Sequence, residues 1–490
     1  MTEFRVMQPP VAVQSGVRVE RPLCVDLDGT LVKSDTFVDS LMVLARRHPG
    51  AFVRSPLWAL QGKAHMKSQV ASLVTLDVDH LPYNRPLLDY LRDEHAAGRK
   101  LYLATGADRV LARKVAAHLG IFEDVLASDG AVNLTGRNKL QHLEQRFAAD
   151  GFDYIGNALP DLPLLQGAQE AMVANPDLSL RLALKSRNVA VSRKFQDRSH
   201  LLAALAKALR VHQWAKNLLV FLPLLLAHSF RHAASVLAAV AAFFCFSFTA
   251  SATYIINDLL DLESDRVHLH KRKRAFAAGN LSVATGLGIS FALAAAALIT
   301  AAYLPRKFLV YLLLYFVTTL AYSLSLKRIV LVDVVVLSSL YTIRMLAGSE
   351  ATHDPVSPWL AAFSIFLFLS LAMVKRFSEL QNLHSRGATP SNARGYLLSD
   401  IEQLRSFGTS SAYASIVIFA LYINGRDVVA LYHHPTRMWL ITPLLILWIS
   451  RVWLLASRGL LDEDPVVFAL SDRMSLLLCL GVAVVAYSAL

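Results

Sequence analysis

From about residue 206 onward the chain is a succession of long apolar stretches, of which SVLAAVAAFFCFSFTASATYII (residues 235–256) is one. A run of that length satisfies its own backbone polar groups in a bilayer only as a helix. Nine candidate spans of ~20 residues each are expected, near 216–230, 234–257, 282–304, 307–325, 329–347, 358–374, 409–423, 437–455 and 474–490. Residues before about 205 instead mix charged and apolar side chains as a soluble domain does. The whole chain, 490 residues at 54% hydrophobic content, is too apolar for an ordinary soluble protein. The expected architecture is a soluble domain followed by an all-α membrane bundle of about nine transmembrane helices.

The formal net charge of +12 does not point to nucleic acid, because Lys and Arg gather in the short loops between apolar stretches. With the soluble domain in the cytoplasm, loops on that side hold about fifteen Lys and Arg against about five opposite, in accord with the positive-inside rule. The opening MTEFRVMQPP has no apolar core of a signal peptide, so a multi-pass inner (plasma) membrane protein with a cytoplasmic soluble domain is expected. Cys24, Cys245 and Cys479 stand far apart in apolar contexts and read as packing residues rather than a disulfide or metal set. No internal repeat or low-complexity segment is evident.

In the soluble half, PLCVDLDGTLVKSD places a short apolar strand, Leu23 to Val25, directly before Asp26 and Asp28, with Gly29 making the turn. Strand alternation aims the two carboxylates to one side, at the carboxyl end of a strand where open α/β sheets bind ligands. Two further strand-then-turn units end on Thr105 (KLYLATGAD) and on Asn157 and Asp161 (FDYIGNALPDLPLL), with Lys139 between them in GRNKLQHL. A carboxylate nucleophile, a second carboxylate to give a proton, a hydroxyl and an ammonium for phosphoryl oxygens, and a distal carboxylate for Mg²⁺ together make a phosphoryl-transfer site.

This order of residues resembles the haloacid dehalogenase (HAD) superfamily of aspartyl-phosphate phosphatases, across about residues 20–200. The resemblance implies a Rossmann-like α/β fold in which Asp26 is the nucleophile and Asp28 the general acid/base. Thr105 and Lys139 would hold the phosphate, and Asp26, Asp28 and Asp161 would hold Mg²⁺. Residues 33–95 would form a helical cap that limits substrate choice. Asn157 stands where many members carry Asp, and a non-catalytic HAD fold is the alternative.

In the membrane half, NDLLDLESDRVHLHKRKR spans residues 257–274. Asn257, Asp258, Asp261 and Asp265 lie three, four or seven apart, which on one helix brings them to one face. Clustered carboxylates repel unless a cation sits among them, and Mg²⁺ suits hard oxygen ligands together with substrate phosphates. His268, Lys271, Arg272, Lys273 and Arg274 could serve the anion side, so a diphosphate ligand is indicated. Lys216, Tyr322, Lys327, Arg328, Asp333, Arg344, Lys375 and Arg376 also lie near span ends, most of them on the cytoplasmic side, and are expected to converge on one cavity. A wet basic loop and snorkelling anchors are the plain alternatives.

NDxxDxxxD together with YSxxLKR resembles the UbiA superfamily of intramembrane prenyltransferases, over about residues 208–490. The segments QWAKN, YSLSLKR, SSLYTIRMLAG and SLAMVKRFSEL are most similar to its branch that transfers phosphoribose to polyprenyl phosphate. The resemblance implies Mg²⁺ on Asn257, Asp258, Asp261 and Asp265, with Asp258 and Asp261 essential to catalysis. Phosphoribosyl pyrophosphate and a polyprenyl phosphate would be the substrates, bound by Lys216, Asn257, His268, Lys271, Arg272, Tyr322, Lys327, Arg328, Arg344, Lys375 and Arg376. Ala275 stands where Pro is usual. The alternatives are prenyl transfer from a polyprenyl diphosphate to an aromatic ring and, from another class, a transporter or scaffold. The expected layout is a tail over 1–19, the HAD-like domain over 20–192, a basic juxtamembrane linker over 193–213 that meets membrane lipids, and the transferase over 214–490. An oligomer is compatible with all of this. Joined in one chain, the phosphatase would remove the 5-phosphate that the transferase installs.

Overall fold

A computed structural model of the chain describes residues 21–129, 134–385, 395–461 and 465–490, so the expected 1–19 tail lies outside the described residues. The chain divides into two compact units. One holds the residues up to Leu205 together with Asp258–Val283, and the other holds Ala206–Asn257 and Ala284–Leu490.

The first unit is an α/β domain. Its strands are β1 (Leu23–Val25), β2 (Leu101–Asp108), β3 (Asp124–Ser128), β4 (Asp153–Gly156), β5 (Ala171–Ala174) and β6 (Arg193–Phe195). All pair in parallel, in the order β3-β2-β1-β4-β5-β6. A parallel sheet is covered on both faces, so its strands are apolar at nearly every position. Successive residues therefore serve opposite cores. Leu23, Val25, Leu101 and Leu103 pack into one cluster, while Cys24, Tyr102, Ala104 and Tyr154 pack into the other. The chain leaves β1 toward β2 on one side and returns as β4 on the other. That reversal opens a crevice at the carboxyl end of β1, where Asp26 and Asp28 stand.

Between β1 and β2 lie α1 (Thr36–Arg47), α2 (Pro49–Ala59), α3 (Lys63–Leu73) and α4 (Arg85–Ala96). Asp35 caps α1 by accepting from the Phe37 and Val38 amides, satisfying donors that a helix start leaves open. The expected cap over 33–95 is thus narrower, because α4 is the ordinary crossover helix into β2, capped by Asn84. Helices α5 (Arg109–Leu119), α6 (Arg137–Arg146), α7 (Leu162–Gly167) and α8 (Leu178–Ser186) complete the layers. The expected boundary at 192 falls short, since Arg193–Phe195 pairs with β5 as a sixth strand.

Next come α9 (Leu201–Leu209), α10 (Leu222–Leu226), α11 (Ala233–Leu260), α12 (Leu262–Val267), α13 (Val283–Ala301), α14 (Arg306–Leu324), α15 (Val332–Thr352) and α16 (Pro358–Ser385). The chain ends with α17 (Ile401–Ile423), α18 (Arg426–Val429), α19 (Ile441–Ser457), α20 (Pro465–Ser471) and α21 (Arg473–Ala489). Among the described residues, seven helices are long and apolar enough to cross a membrane, not nine. The two shortfalls are the first and last of the expected spans. Val211–Leu226 is mostly a 3-10 helix with Pro223 starting a short α turn, and Arg473–Ala489 has only 17 residues. The protein is an integral membrane protein, and the second unit is apolar on its outside as well. Phe291 is 78% exposed and Leu237 69%, a burden that lipid removes and water would not. Cys24 and Cys245 are buried as expected, whereas Cys479 is exposed.

Close helix packing needs small residues here. A Cβ on Gly348 in α15 would come within 2.1 Å of the Val220 carbonyl oxygen, so no side chain fits there. That contact seats the 3-10 segment Val211–Phe221, which carries Lys216, directly on α15.

Candidate active sites

The soluble unit gathers Asp26, Asp28, Thr105, Lys139 and Asp161 from four separate segments of the chain. Lys139 in α6 donates to Asp26 Oδ1 at 2.8 Å and lies 3.7 Å from Asp161 Oδ1. Tyr154 in β4 accepts from Lys139 at 3.0 Å and donates to Asp161 Oδ1 at 2.8 Å. Asp161 Oδ2 accepts from the Asn157 and Ala158 amides at 3.0 and 3.2 Å. Thr30 donates toward both Asp26 Oδ2 at 3.3 Å and Asn157 Oδ1 at 3.2 Å. Thr105 is fully buried and its hydroxyl accepts from the Ala107 amide at 3.0 Å, which leaves its O–H to donate. Gly29 has φ +77°, and a Cβ there would lie 2.1 Å from the Asn157 amide nitrogen. Only glycine lets the Asp28–Thr30 turn lie against the β4 loop.

Asp28 Oδ1 accepts from both the amide and the hydroxyl of Thr36, each at 2.7 Å. The first residue of the cap thereby fixes the candidate general acid. Beside it runs a small open cleft between the cap helices and the β2–α5 junction, lined by Thr36, Phe37, Lys67, Asp108, Leu111 and Lys114 among others. Lys67 reaches across to donate to the Gly106 carbonyl at 2.6 Å, next to Thr105.

Burial pushes the Asp26 carboxyl up to about 6, with Lys139 opposing the rise and Asp161 adding to it. Burial, then the Asp35 and Asp26 charges, pushes the Asp28 carboxyl up to about 7. Burial also works against the Lys139 charge, but Asp26 and Asp161 hold that ammonium above its ordinary value. Burial and the Asp161 charge push Tyr154 well above its usual range, so it remains a neutral relay.

Both carboxyl shifts are upward, so the folded state binds these protons more tightly than the unfolded chain. The pair costs nothing below about pH 4 and destabilises increasingly as pH rises toward about 7. Asp28→Asn keeps an oxygen for Thr36 and removes one charge. With chelator present, its thermal midpoint for the soluble unit is expected to gain at least about 3 °C on wild type between pH 4 and pH 7.5. A gap that stays constant with pH would remove the charge-based account.

The acidic segment is not the single helix its spacing suggests. α11 ends at Leu260, Asp261 breaks the helix, and α12 restarts at Leu262. Asp258 and Asp265, both buried, share Arg274, whose Nη1 donates to them at 3.1 and 2.6 Å. Asp261 lies 3.3 Å from Arg46 of α1. Burial pushes the Asp265 carboxyl up, against the pull of Arg274. His268, Lys271, Arg272 and Lys273 are exposed. Partial burial and the Lys271 charge hold the His268 imidazole below its ordinary value.

In the second unit the expected cations form two groups. Arg344, buried in α15, donates to Asn217 Oδ1 at 2.8 Å, to the Leu340 carbonyl at 2.5 Å and to the Tyr315 hydroxyl at 3.0 Å. Its guanidinium lies 5.4 Å from the Tyr341 ring centre, and Lys216 Nζ lies 5.8 Å from the same ring. Arg376, 2% exposed, donates to Asp333 at 2.6 Å, to Glu379 at 2.7 Å and to the Tyr322 hydroxyl at 3.1 Å, while Tyr396 donates to the other Asp333 oxygen. Asn257 closes the α11 part of this unit, Lys327 lies in the 3-10 turn Leu326–Arg328 beside an exposed Arg328, and Lys375 neighbours Arg376 in α16. Arg344 and Arg376 are thus each anchored by several protein groups.

Residues 217–477 match the UbiA prenyltransferase family. The chain belongs to that family. Residues 23–166 match the haloacid dehalogenase-like hydrolases, so the UbiA half is preceded by a HAD-like domain. An uncharacterized protein, y4nM of Sinorhizobium fredii, is 38% identical over 93% of this chain and 88% of its own length. The nodulation protein NoeC of Azorhizobium caulinodans is 34% identical over 56% of this chain and 90% of its own length. Decaprenyl-phosphate phosphoribosyltransferase of Mycobacterium tuberculosis is 36% identical over 47% of this chain and 78% of its own length. Both families make this chain an enzyme.

Metal fit differs between the halves. Among the described residues, no three or more His, Cys, Asp or Glu gather to hold a metal. In the HAD half, Asp26 and Asp28 with the Asn157 amide oxygen still offer hard oxygen donors to Mg²⁺, and two carboxyls driven up by burial and neighbouring charge suit a cation there. Asp161 accepts from the Asn157 and Ala158 amides and from Tyr154, which fixes its carboxylate beside Lys139. In the UbiA half, the donor types suit Mg²⁺, but as arranged arginines hold Asp258, Asp261 and Asp265. Sequence reasoning missed Tyr154, Thr36 and Arg46. Tyr154 reads as one more core residue of an apolar strand, and Arg46 meets Asp261 only through tertiary structure.

Proposed function

We propose that the UbiA half transfers 5-phosphoribose from phosphoribosyl pyrophosphate to a polyprenyl phosphate, and that the HAD half is a phosphatase acting on the 5-phosphate of the product. The family membership, together with the similarity to a decaprenyl-phosphate phosphoribosyltransferase at 36% identity, carries the first part. In the transfer, an oxygen of the lipid phosphate attacks the anomeric carbon while its bond to pyrophosphate breaks. The nucleophile is already an anion, so the site needs to position it rather than deprotonate it. The exposed Lys271 and Arg272 are suited to the departing diphosphate. Lys216, Lys327 and Lys375 are suited to the lipid phosphate. Magnesium dependence is expected from the chemistry of the acidic segment.

The 2.8 Å contact between Lys139 and Asp26 supports the second part. Asp26 attacks the phosphorus of a monoester, forming an aspartyl phosphate, while Lys139 and Thr105 bind the phosphoryl oxygens. Asp28 gives its proton to the leaving alcohol and then takes one from the water that frees phosphate. A bound Mg²⁺ would shield the negative charges of nucleophile and phosphate from one another. The soluble half is read as cytoplasmic, and the membrane as the inner one.

Purified full-length protein given Mg²⁺, polyprenyl phosphate and ribose-labelled phosphoribosyl pyrophosphate is expected to move label into the lipid phase. Asp258→Ala is expected to lower that transfer by about 10²-fold or more. Label confined to water with intact protein would instead favour prenyl transfer to an aromatic acceptor.

A further inference from the structure

The residues Asp258–Val283 lie within the UbiA match, yet they build one compact unit with the HAD-like domain. The contact is specific. Arg266 of α12 and Asp39 of α1 form an ion pair at 2.8 Å with side chains 6% and 1% exposed. Ser34 ties into it, accepting from Arg266 at 3.1 Å and donating to the same Asp39 oxygen at 2.6 Å. A charge buried this deeply is costly unless paired, so the pair fixes both elements in place. Further along, Gly279 has φ +70°, and a Cβ there would lie 2.7 Å from Lys33 Cβ and 3.3 Å from Pro82 Cβ. Leu262 and Phe276, each 2% exposed, are buried alongside.

At the far end of α1, Arg46 lies 3.3 Å from Asp261 and Arg47 lies 2.5 Å from Glu263. Asp261 is one of the carboxylates on which diphosphate binding would depend. The N-terminus of the same helix holds Asp28 through Thr36. Twelve residues of helix, about 18 Å, therefore join the candidate general acid of one activity to an acidic residue of the other.

We infer that α1 of the phosphatase half is a working part of the transferase: Arg46 and Arg47, with the Arg266–Asp39 pair behind them, position the acidic segment for its diphosphate substrate. Arg46 is a positioning residue here, since it acts through Asp261. The inference rests on the transfer reading above. In the full-length protein, Arg46→Ala with Arg47→Ala is expected to raise the KM for phosphoribosyl pyrophosphate about tenfold, as a coupling of ordinary size would, with kcat within about twofold. Arg46→Lys is expected to recover most of the loss, and Arg92→Ala, an exposed cation on α4, to match wild type. Hydrogen–deuterium exchange over residues 262–283 is expected to quicken in the double variant and to stay unchanged over α4.

An unchanged KM in the double variant overturns the inference whatever the exchange shows. Wild type that is inert toward phosphoribosyl pyrophosphate sinks the phosphoribosyl reading instead, and exchange then decides alone. Unaltered exchange over 262–283 overturns the hold of α1 on the segment, and quickened exchange upholds it.

Discussion

Asp26→Asn in the full-length protein is expected to stop synthesis at the phosphorylated lipid. Loss of a nucleophile costs far more than loss of a binding group, and a drop on the order of 10³-fold or more in monoester hydrolysis is expected. Asparagine is nearly isosteric, and its amide oxygen can still accept from Lys139 at the position of Asp26 Oδ1, so the fold has no reason to fail. Transfer of labelled ribose into lipid should continue at the wild-type rate, because the Asp26 carboxylate is held by Lys139 and Thr30, both within the soluble domain. The measurement is the ratio of lipid-linked ribose with and without the 5-phosphate. A wild-type ratio in the variant would separate the HAD half from the lipid product and direct attention to a soluble monoester.

Removing one member of the Asp333–Arg376 pair is expected to have the largest effect on stability. Asp333 is fully buried and Arg376 is 2% exposed. Arg376→Leu leaves the buried Asp333 charge uncompensated inside the helical bundle, at a cost of about 3–5 kcal/mol, and Asp333→Leu, in which Glu379 still pairs with Arg376 at 2.7 Å, costs less. The thermal midpoint of Arg376→Leu in detergent should fall by roughly 10 °C. Replacing both residues at once should recover most of that loss, since two apolar groups leave no orphaned charge except Glu379, which is 39% exposed at its side chain. If the double replacement is as unstable as Arg376→Leu, the pair matters through its hydrogen bonds to Tyr322 and Tyr396 rather than through charge.

The two halves were legible in the sequence for different reasons. Asp26 and Asp28 directly follow three apolar residues, and an apolar run ending in carboxylates is what the carboxyl end of a buried parallel strand looks like. Thr105 and Lys139 were legible by their order in the chain. The membrane half announced itself by composition, but hydropathy did not show that two of the nine expected spans are shorter helical segments, because the 3-10 geometry of Val211–Phe221 is a backbone property that hydropathy does not encode. The spacing of Asp258, Asp261 and Asp265 suggested one helical face, and the break at Asp261 divided them between Arg274 and Arg46. Arg344 and Arg376 were expected to bind phosphate from their place near span ends, and the sequence did not show the protein groups that hold them. Their protein partners, Asn217, Tyr315 and Asp333, are distant in sequence.

The pairing of residues 258–283 with the soluble half also sets an order on biosynthesis. A chain emerges from the ribosome N-terminus first, and all six strands precede residue 196. The segment that covers α1 follows only after α11, a 28-residue apolar helix that must be handed to the bilayer. The soluble half therefore completes its last layer after membrane insertion has begun. A chain stalled before that handover leaves one face of α1 bare, a ready mark for the proteases that remove unfinished membrane proteins.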